Sequence, residues 1–404
     1  MNFTETTPLP RLRHDIGIAE LIPGIITLYD EMGYTETTVQ LPLDVIDYLL
    51  YMDGKRNVLE LAGHAVQAGR PFDSEKFLEV VEILDEEGFL DTEAFREYQD
   101  NVHHEYNSLT VRPPFLAGLS YPEDPDELRE MLDELLEGAP DFTGLTIPDG
   151  FFIPHIDIRI GGEAYGTAYN ALRRTKADTF ILLGVPHQMS YDRFMISEKD
   201  FDTPLGLVPT DREFIRHFRE KLSFDLTTDE IAHRQEHSIE FQTLFLRHLF
   251  PDRSICIVPI LVGPLFEYVE YGRGGAEKDS ALTELYMLLG QTAIELKRNV
   301  CWIASVDFCH VGKKFGDPFE GQSVLQSVKE HDERLIQEAT RCNAESFLQN
   351  LVEVKNHYKV CGVSPMYAML RAASMQRGEL LAYDQWDEVE TESSISFASM
   401  AFYQ

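Results

Sequence analysis

From about residue 115 the chain alternates between short apolar runs and amphipathic stretches. "DGFFIPHID", "TFILLGVPHQ", "SICIVPILVG" and "VCWIASVDFCH" are bounded apolar runs of strand length, the pattern of strands buried on both faces. Between and beside them lie "EAYGTAYNALRR", "DREFIRHFREKL", "HSIEFQTLFLRHLF" and "ALTELYMLLGQTAIELK", which read as helices. Strands alternating with helices predict an α/β domain with a mainly parallel central sheet flanked by helices. Near the end, "SISFASMAFY" alternates apolar and polar residues and predicts a last strand. There is no internal repeat and no low-complexity tract.

The first hundred residues follow a different pattern. "IITLYDEMGYTETTVQLP" predicts strands around a glycine-containing turn, and "PLDVIDYLLYMDGKRNVLELAGHAVQAG" predicts two helices separated by "DGKR". A third helix is predicted over "DSEKFLEVVEILDEEGFL", with Phe77, Val80, Val81 and Leu84 at helical spacing, and a short strand or wing at Phe89 and Leu90. Three helices and a wing make a winged-helix-like domain, and the acidity of its third helix argues against docking in a DNA groove. "YLLYMDGKRNVLELA" followed by "ILDEEGFL" resembles the small PqqD-like domains, which bind peptides and modification enzymes; a generic winged-helix appendage is the plainer reading. "FREYQDNVHHEYNSLTVRPPF" predicts the linker. The expected division is an accessory domain over 1–100, a linker over 101–114 and a main domain over 115–404.

Composition narrows the partners. The 404 residues suit two or three domains, and 44% hydrophobic with 11% aromatic residues can fill a substantial core. The formal charge of −34 repels phosphate backbones and anionic lipid, so nucleic acid and membrane surfaces are excluded as expected partners. "MNFTETTPLPRLRHD" lacks an apolar core of signal-peptide length, and runs such as "ICIVPILVG" are too short to span a bilayer. Five cysteines without CxxC spacing point to no disulfide framework and to a reducing cytoplasm. Composition gives no oligomeric state.

The candidate chemistry sits where predicted strands end, the edge at which open α/β sheets gather ligands. "FFIPH" delivers His155, "ILLGVPH" delivers His187, and "IASVDFCH" delivers Asp307 and His310; His237 opens the helix "EHSIEFQTLF". One histidine after a strand is ordinarily a hydrogen-bonded structural residue. Several together, with Asp157, Glu236 and Glu240 in neighbouring sequence, leave a metal site, an acid–base site and a polar core all open. Cys256 and Cys301 fall inside apolar strands and read as core. Cys309 and Cys361 read the same way on sequence alone.

In order, "PH" at 154–155, "LGVPHQ" at 183–188, "FDTPLG" at 201–206, "EHSIE" at 236–240, "IVPILVG" at 257–263, "SVDFCH" at 305–310 and "VCGVSP" at 360–365 resemble the Memo family. "AGLSYPEDPDELREML" resembles that family's opening segment, and the extra amino-terminal domain resembles the microbial AmmeMemoRadiSam system protein B group. The resemblance implies the fold of class III extradiol dioxygenases, which bind non-haem Fe(II). It implies His155, His187 and Cys361 as metal ligands, with Asp307, His310 and His237 as catalytic residues beside the metal, and Cys361 replaces the dioxygenases' glutamate. It further implies radical SAM and AMMECR-type partner proteins. This chain departs from the family's pattern at Asp157, at Gln188 and after Cys361, where "GVSP" lacks the expected basic residue and histidine.

Without the family, two imidazoles and a thiolate suit iron, copper or zinc. Cys361 precedes the predicted helix "SPMYAMLRAASM", whose amino end favours thiolate. Three functions are carried forward. The first is a redox or oxygen-dependent metal enzyme resembling a dioxygenase. The second is a peptide- or protein-binding module using the same pocket, and the third a zinc hydrolase with Glu236 or Asp307 as base.

Overall fold

A computed structural model of the chain describes residues 3–188, 192–226 and 229–404. The four apolar runs become four adjacent parallel strands, in the spatial order Gly150–Ile153, Val300–Ser305, Thr179–Gly184 and Cys256–Val262. Their side chains alternate between two interiors. Ile181, Leu183, Val258 and Ile260 pack with Leu285 and Met369, while Phe180, Leu182, Ile257 and Leu261 pack with Tyr165 and Phe245. Burial on both faces is why these strands carry no charged side chain.

The sheet is parallel only at this centre. Ser393–Tyr403 pairs antiparallel with Gly150–Ile153 and itself carries His310–Gly312 and Arg377–Glu388, both antiparallel. At the other edge Phe194–Ile196 runs antiparallel to Cys256–Val262. The expected mainly parallel sheet is therefore a mixed, eight-stranded one. The register matters for function: Ser305 lies opposite Ile153, and Ala304 opposite Leu183. The three strands end level, so the residues that follow them emerge along one edge.

The described chain divides into two compact units, Met1–Ser108 and Leu109–Gln404. In the first, Ile16–Ile22, Ile25–Asp30 and Val39–Pro42 form an antiparallel sheet, followed by helices Ile46–Tyr51, Val58–Gln67 and Ser74–Glu86. Asn57 and Glu60 close a capping box at the start of Val58–Gln67. The strands expected ahead of the helices are this sheet, whereas the expected wing at Phe89–Leu90 is a single bridge between Leu12 and Leu90. The expected linker also differs: Glu93–Ser108 is a helix and Val111–Arg112 a short strand. Phe95 and Tyr106 bury that helix, and Phe95 covers the Arg13 guanidinium at 3.9 Å.

Each unit owns a separate core, one built from residues between Phe3 and Leu90 and the others from residues beyond Leu116. A chain beginning at Leu109 is therefore expected to melt cooperatively on its own. A broad, non-cooperative melt by circular dichroism would show that it depends on the removed unit. Among the described residues, no helix is long and apolar enough to cross a membrane.

Candidate metal centre

His155 follows strand Gly150–Ile153 and is only 2% exposed. Its main-chain N–H donates to Asp307 Oδ1 at 3.0 Å, and its ring Nδ1 lies 2.9 Å from the Ser305 carbonyl oxygen. A carbonyl can only accept, so Nδ1 carries the proton and Nε2 keeps its lone pair. Ser305 is itself fixed, since its hydroxyl takes a 2.7 Å hydrogen bond from Gln242 Nε2 and donates to the Ser238 carbonyl. Burial, then the neighbouring His187, holds the His155 pKa down at about 3, so the ring is neutral.

His187 follows strand Thr179–Gly184 and is held by Glu236, the N-cap of helix His237–Leu249. Glu236 Oε2 accepts from the His187 main-chain N–H at 2.8 Å and Oε1 from Nδ1 at 3.0 Å, again freeing Nε2. Oε1 also accepts from the Ser238 N–H at 2.8 Å and lies 3.3 Å from His237 Nδ1. Burial alone would raise Glu236, but His187, by its charge and its two hydrogen bonds, outweighs it and holds the carboxyl below the usual range. Burial alone would lower His187, and Glu236 overrides it, leaving that pKa above its ordinary value. Close approach of helix to strand end needs Gly184, where a Cβ would stand 2.6 Å from Ser238 Oγ.

His237 completes a cluster: His155, His187 and His237 each offer a ligand atom within 4.8 Å of the others. The ring centroids lie 4.4 to 5.2 Å apart. His155 forms the buried floor, whereas the His187 and His237 side chains are 36% and 31% exposed. Burial and then His187 lower the His237 pKa to about 3, so it too is neutral.

Cys361 reaches this edge because its main-chain N–H and that of Gly362 donate to the carbonyls of Phe308 and Asp307, at 3.3 and 3.2 Å. A Cβ at Gly362 would stand 2.5 Å from Val306 Cβ, so the contact needs glycine. Cys361 Sγ lies 3.3 Å from His155 Nε2. Two donors bonded to one ion at about 2.0–2.3 Å sit roughly 3–4 Å apart, which this pair satisfies. Helix Val363–Ala372 follows, but burial and the Asp307 charge push the thiol well above its ordinary pKa. The expected help from the helix amino end is outweighed.

Asp307 is buried, its Oδ2 3.7 Å from His155 Nε2, and burial raises its pKa to about 6. His310 Nδ1 faces the carbonyls of Phe308 and Lys359 at 3.1 and 3.2 Å, which leaves Nε2 the unprotonated nitrogen. Burial lowers the His310 pKa. Cys309 belongs to a different network, donating from Sγ to Asp332 Oδ1 at 3.0 Å while Tyr383 donates to Oδ2 at 2.8 Å. Asp157 caps helix Ile158–Leu172 and pairs with Arg159. Glu240 is fully buried and pairs with Arg112.

A family model described as "Memo-like protein" matches residues 112–401. A MEMO1 family protein of Aquifex aeolicus (strain VF5) is 30% identical over 381 residues, covering 93% of this chain and 95% of that protein. A MEMO1 family protein of Methanosarcina barkeri is 29% identical over 286 residues, 69% of this chain and 94% of its own length. One from Methanocaldococcus jannaschii is 28% identical over 288 residues, 68% of this chain and 91% of its own length. The Aquifex match is longer than the whole of Leu109–Gln404, so it runs into the amino-terminal unit.

Proposed function

The chain belongs to the Memo-like family, and from that premise we propose that its strand-end centre holds a transition metal through His155, His187 and Cys361. Fe(II) is the first choice and copper or zinc the alternatives, and with iron or copper the chemistry is oxygen-dependent or otherwise redox. One observation carries this reading: hydrogen bonds at Nδ1 leave the second nitrogens of His155 and His187 free, with a sulfur 3.3 Å from one of them. Two imidazoles and a thiolate match iron, copper and zinc, and three protein donors leave positions open. When bound, the metal supplies Lewis acidity and, if iron or copper, one-electron chemistry.

The surrounding residues have distinct tasks. Asp307 holds the His155 main chain and, titrating at about 6, can exchange a proton near neutral pH. His310, neutral and protonated at Nδ1, offers Nε2 as a proton acceptor. His237 lines the opening, and a three-histidine ligand set is the second reading, favoured by the nearness of its ring nitrogen to the other two. Radical SAM and AMMECR-type partners, with the amino-terminal unit as a docking module, belong to the same proposal. Zinc-dependent hydrolysis would fall to Asp307 as base, because Glu236 is already saturated with donors.

Metal analysis of protein purified without added metal tests the proposal. Iron or copper, with oxygen uptake in the presence of catechols, supports it; zinc alone without redox response favours hydrolysis. His310→Ala should keep the metal and lose turnover by about 10²–10⁴-fold, the usual worth of a general acid–base group. Loss of metal in that variant would make His310 a ligand instead.

A further inference from the structure

Arg112, at the end of strand Val111–Arg112, is completely buried, as is its partner Glu240. Removing both charges from water is costly unless the donors find partners, and here the guanidinium makes four hydrogen bonds. Nη1 bonds Glu240 Oε2 at 2.6 Å and the Pro113 carbonyl at 3.1 Å. Nε donates to the His233 carbonyl at 2.6 Å and Nη2 to the Glu236 carbonyl at 2.9 Å. Glu240 takes further bonds from the Phe115 and Leu116 N–H groups and the Tyr121 hydroxyl.

The three attachments on the far side of this guanidinium follow one another along the chain. The carbonyl of His233 ends the turn Glu230–His233, that of Glu236 belongs to the N-cap, and Glu240 lies in the first turn of helix His237–Leu249. The same Glu236 carries His187 on its carboxylate and lies against His237. We propose that Arg112 is a positioning residue for the metal centre: its fork sets the entry of that helix, and through Glu236 it sets where the His187 and His237 rings stand. The inference rests on the metal-binding reading above. Lysine cannot substitute, because one ammonium lacks the planar fork that meets two carbonyls and a carboxylate together.

Co(II) titration of the full chain, read by visible absorption and by affinity, tests this, with circular dichroism and thermal melts run in parallel. Arg112→Lys, and Arg112→Met combined with Glu240→Gln so that no charge is stranded, should each fold. Each should bind Co(II) about tenfold or more weakly, the usual cost of losing a residue behind a ligand, with altered visible bands. Tyr121→Phe removes a bond to Glu240 Oε1 and leaves every Arg112 bond in place; it should lower the melting temperature and leave Co(II) affinity unchanged. Wild-type affinity and bands in a folded Arg112 variant would overturn the inference, as would equal weakening by Tyr121→Phe. A wild-type protein that takes up no Co(II) would sink the metal-binding reading itself.

Discussion

His155→Ala is expected to weaken metal binding by about 10²–10⁴-fold while leaving a folded chain. His155 belongs to both candidate ligand sets, as the floor of the histidine cluster and as the partner of Cys361. Apparent binding energies of structural zinc sites run at about 10–16 kcal/mol. Shared over three or four donors, that is roughly 3–5 kcal/mol each, or about 10²–10⁴-fold in affinity. The same substitution strands the Ser305 carbonyl, which should cost about 1–3 kcal/mol of stability in the metal-free protein. Co(II) or Fe(II) titration reads the first effect and a metal-free melt the second. Affinity within tenfold of wild type would mean that the ion, if any, binds elsewhere.

The sequence made the strand ends legible for a simple reason. Strands buried on both faces carry no charged residue or imidazole, so His155, His187 and Asp307 stand out where each run stops. The level register that brings them to one edge follows from parallel pairing, which alternation with helices already implied. The antiparallel flanks were harder to read. Arg377–Glu388 lies half-exposed along its length, so its residues show neither a solid apolar run nor a clean alternation.

Helix Glu93–Ser108 hid for the opposite reason. Phe95, Tyr98, Val102 and Tyr106 recur at helical spacing, but so many polar residues separate them that the stretch reads as linker. Glu236 was visible as a nearby carboxylate but not as the hub that orients His187. N-capping by a side chain that also holds a strand-end histidine needs the tertiary structure. Arg112 was the least legible of all. An arginine before two prolines in a presumed linker gives no sign that it is the most completely buried cation near the centre.

The ligand set itself is decided by comparing Cys361→Ser with His237→Ala. If sulfur is the third donor, Cys361→Ser loses the thiolate-to-Co(II) charge-transfer band and most of the affinity, while His237→Ala and Cys309→Ser keep the band. Proton release provides an independent reading. The Cys361 thiol sits well above its ordinary pKa, whereas His155 and His237 are neutral, with pKa values of about 3. Metal binding through Cys361 must therefore expel the thiol proton at any pH below that raised value. The logarithm of affinity should rise by about one per pH unit through neutrality, with a further rise below the raised pKa of His187, where a second proton is displaced. Lowering the pH thus weakens binding throughout. A three-histidine set has no proton to release once His187 is neutral, so its affinity would level off above that point. Calorimetry in buffers of different ionisation enthalpy counts the protons directly. One proton released in mildly alkaline buffer by wild type, and none by Cys361→Ser, supports the thiolate. No proton released by wild type, with binding lost in His237→Ala, would transfer the third position to His237 and leave Cys361 a buried neighbour of His155.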